Sequence, residues 1–176
     1  MTPPTARTWA RRGHPPVSSQ RRFSIAALAC YKEGERSRPI YRPKRHVDHK
    51  WGGRRSFTWT DHRELLTAAH QQLAAPIVLV WDNLNVHKDA RMKAFTDAHD
   101  WITCYFLPAC APALNPAEGI RSLLRRNSQA NTAFTDPDHL MRALRHGLRQ
   151  IQYRSNLVDG CLAATRLRRN AQIITP

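Results

Sequence analysis

Two apolar runs, Ile77-Val78-Leu79-Val80-Trp81 and Ile102-Thr103-Cys104-Tyr105-Phe106-Leu107, constrain the fold more than any other feature of the chain. A short run that is apolar at nearly every position fits a strand buried on both faces, the habit of parallel sheets. Between the runs, Lys88 to His99 reads as a short helix. Strand, helix and parallel strand form a unit whose crossover is right-handed, so the expectation is an α/β domain.

Asp82 stands at the carboxyl end of the first run, followed by Asn83 and, further on, His87. In alternating β/α sheets this is where ligands and metals gather. The plainer reading is a turn, because Asp and Asn side chains bond nearby backbone N–H groups where strands stop. A second acidic residue, Glu118, follows the second run in Asn115-Pro116-Ala117-Glu118. There Asn reads as a helix cap, Pro as the first helical residue and Glu as the third, and local rules assign Glu118 to a capping box. On local grounds alone, each acid therefore has a structural reading.

Around this unit the chain carries further elements. Pro-Pro at 3–4 and 15–16 and Gly-Gly at 52–53 separate strand-like segments at Arg7–Arg12, Phe23–Tyr31 and Pro39–Pro43, the last edge-like because proline cannot donate to a ladder. From Thr60, a Thr-Asp start and near-helical spacing of Leu65, Leu66, Ala69 and Leu73 predict a helix. Thr135-Asp136-Pro137 opens an amphipathic helix with Leu140, Met141, Leu144, Leu148 and Ile151 on one face and Arg142, Arg145 and Arg149 off it. From Asn156 a last helix runs toward Arg-Leu-Arg-Arg-Asn. The 176 residues suit one domain, residues 1–130, with a C-terminal helical extension at 131–176.

Charge bears on the partner. The formal net charge is +15, and the first 60 residues hold 14 Lys and Arg against 3 acidic residues, whereas the remainder holds 14 against 10. Such a chain is expected to meet a polyanion. The pairs Arg11-Arg12, Arg21-Arg22, Lys44-Arg45 and Arg54-Arg55, with Trp9, Tyr41, Trp51 and Trp59 among them, suit phosphate contacts and stacking, and equally a solvated basic face. Four cysteines without a Cys-x-x-Cys pair read as reduced thiols, and His46 and His49 lack zinc-finger partners. With no membrane span and no signal-peptide core, the reading is a soluble, cytoplasmic protein.

Val80-Trp81-Asp82-Asn83-Leu84-Asn85-Val86-His87, then Leu107-Pro108, Ala111-Pro112-x-Leu114-Asn115-Pro116 and Glu118, closely resemble the second and third acidic motifs of DDE transposases, in the bacterial insertion-sequence branch related to the mariner elements. Thirty-five residues lie between the two acids, a spacing that suits the group. The resemblance covers approximately Trp9 to Arg126. It implies a ribonuclease-H-like mixed sheet flanked by helices and Mg²⁺- or Mn²⁺-dependent cleavage and strand transfer of double-stranded DNA at transposon ends and target. It also implies that Asp82 and Glu118 are catalytic metal ligands, with Asn83, His87, Asn115 and Pro116 as accessory motif residues. Hard oxygen ligands suit Mg²⁺, and a pair of ions can activate the attacking oxygen and stabilise the leaving one. Phosphate contacts fall to Arg11, Arg12, Lys44, Arg45, Arg54 and Arg55.

The family pattern has a third acid, on a first central strand. Arg7-Thr8-Trp9-Ala10-Arg11-Arg12 resembles the segment just after it, so the expectation is an N-terminally shortened domain lacking that strand. Asp48, Asp61, Glu33 and Glu35 are poor substitutes. Arg121 departs from the pattern where an aromatic residue is expected. Exposed strand edges would then make the chain poorly soluble, or dependent on a homodimer or on a full-length or upstream transposase fragment. The alternative reading is a catalytically inactive DNA-binding or regulatory remnant.

Overall fold

The computed structural model describes residues 23–45, 57–128, 134 and 137–167. The expected strand at Arg7–Arg12 lies outside the described residues. β1 (Phe23–Cys30) turns through Gly34, at φ 74°, and pairs antiparallel with β2 (Arg38–Arg45) in a register that sets Phe23 opposite Arg45 and Cys30 opposite Arg38. β2 carries Pro39 and Pro43 and among the described residues pairs only with β1, so the missing proline N–H groups fall on an edge strand there, as expected.

α1 (Trp59–Leu73) begins one residue earlier than the Thr60-Asp61 signal suggests. Its cap is Thr58, whose backbone N–H donates to the Asp61 carboxylate at 2.8 Å while the Asp61 N–H reaches the Thr58 hydroxyl at 3.4 Å, a reciprocal capping box. The helix ends in a left-handed Ala74, and β3 (Ile77–Trp81) follows at once. α2 (Ala90–Asp97), capped by Asp89, connects β3 to β4 (Ile102–Phe106). β3 and β4 are parallel, with Ile77 opposite Ile102 and Trp81 opposite Phe106, so the strand–helix–strand unit forms within the expected bounds.

One expectation about these strands fails. Leu79, Trp81 and Ile102 are buried against Leu66 of α1 and Met92 of α2, but Val78 is 69% exposed and Val80 50%. Among the described residues the sheet is packed on one face only. The helices that would shield its other face are engaged elsewhere: α3 (Pro116–Ser128), α4 (Pro137–Gln152) and α5 (Ser155–Ala164) pack on the first sheet. Ile120, Leu124, Leu144, Leu148, Ile151 and Val158 form a core with Phe23, Ile25, Ala29 and Tyr41 around it. The leucine stripe expected on α4 supplies the centre of that core, while Arg142, Arg145 and Arg149 are exposed.

β1 is thus covered on both faces, by the C-terminal helices through Ile25 and Ala29 and by α1 through Ala26 and Cys30. α1 serves two sheets at once, with Leu65 and Ala69 packed toward β1 and β2 and Leu66 packed toward β3. Among the described residues the architecture is α/β, two two-stranded sheets flanked by five helices, as expected from the alternation of elements. The four cysteines are free, and no described helix is long and apolar enough to cross a membrane.

Candidate active site

Asp82 directly follows the last residue of β3, and five contacts fix its surroundings. The ladder continues one step past the strands through the Leu107 N–H to the Trp81 carbonyl at 2.6 Å, and the Asn83 side-chain amide donates to the Leu107 carbonyl. Asn83 therefore ties the exits of the two parallel strands together. The Asp82 carboxylate accepts from the Leu84 N–H at 3.3 Å, the turn that its residue type favours. Its Oδ1 also lies 2.8 Å from His87 Nδ1, which is 3.3 Å from the Asp82 carbonyl as well.

His87 is held rigidly for this contact. It is only 8% exposed, its ring stacks on Trp81 at 4.3 Å between centroids and 17° between planes, and the His62 ring of α1 meets it edge-on at 4.9 Å. Burial pushes the pKa of His62 down to about 4, with the neighbouring His87 adding in the same direction, so His62 is neutral at pH 7. Sequence reasoning singled out His87 and missed His62, which lies 25 positions earlier and reaches the site only through packing of α1 beneath β3.

Glu118 belongs to the first turn of α3, and the capping box expected of it does not form. Asn115 caps the helix by accepting from the Ala117 N–H at 3.0 Å, but its own N–H is taken by the Pro112 carbonyl at 3.1 Å, at the end of a short 3-10 turn. No N–H is left there for Glu118 to accept. Its carboxylate turns to Arg121 instead, at 2.6 Å. Pro116 starts α3, where its fixed φ suits the first turn and its absent N–H costs nothing.

Asp82 and Glu118 line one cleft of about 1810 Å³, together with Asn115, Pro116, His87 and Arg121. Their side chains are 37% and 39% exposed, enough to offer oxygens to a ligand. A group of three acidic, histidine or cysteine side chains close enough to share a metal does not occur among the described residues. Carboxylate oxygens are nevertheless the ligand type that suits Mg²⁺, which often takes one or two of them and completes its shell with water and phosphate oxygens.

A family model for the DDE superfamily endonuclease matches residues 2–141. The chain belongs to this family. No curated protein and no solved structure matches it. Within the DDE endonuclease match fall both acids, Asn83, His87, Asn115 and Pro116, as well as all six basic residues expected on phosphate.

Two of those basic residues are already engaged. Lys44 bonds Asp61 at 2.7 Å beneath the Phe57 ring, and Arg45 pairs with Asp138 at 3.2 Å. Burial alone would raise the Asp61 carboxyl, but hydrogen bonds from Lys44 and Thr58 outweigh it and hold the pKa at about 2. Arg11, Arg12, Arg54 and Arg55 lie outside the described residues. Exposed arginines occur instead at the cleft, Arg121 and Arg125 on α3, where Glu118 also sits.

Proposed function

We propose that the chain is a transposase catalytic domain that cleaves double-stranded DNA and transfers the freed strand, using Mg²⁺ or Mn²⁺ held by Asp82 and Glu118. The observation that carries this reading is that Glu118, released from its helix cap, opens onto the same cleft as Asp82. Bound there, the ion would polarise the scissile phosphate and sharpen the attacking oxygen. The chain's own groups do the remaining work. His87 holds the Asp82 carboxylate in one orientation, Asn83 holds the strand ends on which Asp82 depends, and arginines along α3 receive the DNA backbone.

The test is divalent-ion titration followed by intrinsic tryptophan fluorescence, paired with nicking of a supercoiled plasmid in Mg²⁺. Asp82→Ala and Glu118→Ala should each abolish nicking and weaken the ion-dependent signal while leaving the far-ultraviolet spectrum unchanged. Undiminished nicking by both variants would overturn the assignment.

A second reading, a catalytically inactive DNA-binding or regulatory form acting with a full-length or upstream transposase fragment, is favoured by the Glu118–Arg121 pair, which occupies one of the two carboxylates. In that case plasmid binding persists without ions, unaffected by either alanine change, and nicking is absent in every preparation.

A further inference from the structure

From His139 to Val158 the chain holds four arginines and no acidic residue. Three of them, Arg142, Arg145 and Arg149, recur at intervals of three and four, so they share one face of α4 over about 10 Å of its length. All three are exposed, on a face turned away from the stripe of Leu144, Leu148 and Ile151 that builds the core. Like charges at these spacings repel, which disfavours the helix until an anion meets them. The basic residues of β2 are compensated, Arg38 by Glu35, Arg42 by Glu64, Lys44 by Asp61 and Arg45 by Asp138. Among the described residues no ion pair forms to Arg142, Arg145 or Arg149. Two tyrosines border the same face. Tyr41 of β2 packs its ring against the α4 core, and burial raises its phenol while the charges of Arg149 and Arg145 act against that rise, so its hydroxyl lies within their field. Tyr153 follows the last residue of α4 by one position, is 74% exposed and also acts on Tyr41. No residue of α4 lines the cleft of Asp82 and Glu118.

A row of guanidinium groups at regular spacing on a rigid element is matched by an anion whose charges are themselves fixed and regularly spaced. Duplex DNA is such a rod, and arginine forks and phenol hydroxyls are both donors to phosphate oxygens. An acidic polypeptide is the weaker match, because ordering it on the helix costs entropy that a stiff duplex does not lose. We propose that this face of α4, with Tyr41 and Tyr153 at its border, is a second docking site outside the cleft, for the sugar–phosphate backbone of double-stranded DNA. It contacts phosphates and no base edges, so it holds duplexes of any sequence, and it needs no ion. It deepens the function proposed above and rests on that reading in one respect: strand transfer joins two DNA segments, and a chain with separate sites can hold one in the cleft and the other on α4.

The probe is a fluorescent duplex of about 20 base pairs and arbitrary sequence, added to the full chain in EDTA and followed by anisotropy across a salt series. Arg142→Gln, Arg145→Gln and Arg149→Gln combined should weaken binding roughly tenfold or more and reduce the magnitude of the log–log salt slope by about 2.7, three phosphates' worth. Arg142→Lys, Arg145→Lys and Arg149→Lys combined should keep the slope. The same reduction should appear when Arg121→Gln and Arg125→Gln are already present, since those two residues stand at the cleft. On the native chain, modification of arginines by phenylglyoxal, read by peptide mass, should be slowed by the duplex at Arg142, Arg145 and Arg149, a readout that does not depend on any variant folding. An unchanged slope in the glutamine variant, α4 arginines left unprotected by the duplex, or a reduction that vanishes in the Arg121→Gln, Arg125→Gln background would each overturn the proposal. So would protection of α4 by poly-glutamate but not by the duplex, which would make an acidic polypeptide the occupant. Because EDTA removes divalent ions, failure of metal binding or nicking at Asp82 and Glu118 leaves this result intact, and the reverse also holds.

Discussion

At the scale of single residues, the site is a small set of contacts with separable consequences. His62 is buried in its neutral form, with a pKa of about 4 against 6.5 when free. Between those values the unfolded chain binds a proton that the folded chain refuses, so stability falls as pH drops from about 6.5 towards 4 and is flat above. Melting temperatures across that range should decline for the native chain and decline less for His62→Gln. Asp61 acts in a lower window, since its carboxyl is held down at about 2 and the stability it lends is lost only as pH falls from about 3.8 through that value. Arg121 tests the competition for Glu118. An exposed ion pair is worth up to about 1 kcal/mol, so Arg121→Ala should tighten Mg²⁺ binding by no more than about fivefold in a calorimetric titration. A loss of ion binding instead would mean that Arg121 orients Glu118.

At the scale of elements, packing at two helix contacts makes firm demands. A Cβ on Gly119 would stand 2.9 Å from the Cys161 Sγ and 3.0 Å from its Cβ, so α3 and α5 approach too closely for alanine. Gly119→Ala should cost about 1–3 kcal/mol in denaturant unfolding, part of it recovered by Cys161→Ala in the double variant. Thr58→Ala removes the cap of α1 and should cost about 1 kcal/mol in the same experiment. These elements were legible in the sequence to different degrees. β3 and β4 appear within the expected bounds because a short apolar run between polar ends leaves little freedom. The exposure of Val78 and Val80 was not legible, since it depends on the C-terminal helices choosing the other sheet. The role of Glu118 was hidden for a similar reason. Asn-Pro-x-Glu reads as a capping box until the 3-10 turn before it takes the Asn115 N–H. His62 carries no local signal and becomes a neighbour of His87 only once α1 is docked.

At the scale of the whole molecule, the C-terminal helices are part of the main core. Truncation after residue 134 would uncover Ile120, Leu124, Phe23 and Tyr41 together, and the shortened chain should lose its cooperative melt. Retention of a sharp transition would show that α4 and α5 form an appendage. The net charge of +15 implies that DNA binding, whichever function it serves, should weaken steeply with salt, with a log–log slope of about −0.9 for each phosphate neutralised. A slope near zero would remove the polyanion from consideration.

The sharing of α1 between two cores also decides how the acidic pair behaves mechanically. Asp82 rides on the β3–β4 half, anchored through Leu79 and Trp81, and Glu118 rides on the half built from β1, β2 and the C-terminal helices, anchored through Ile120. Among the described residues no hydrogen-bonded ladder spans the two, and the helix beneath them acts as an axle with a jaw on either side. The separation of the two carboxylates is therefore set by how each half packs on α1, and no ladder bond among the described residues fixes it.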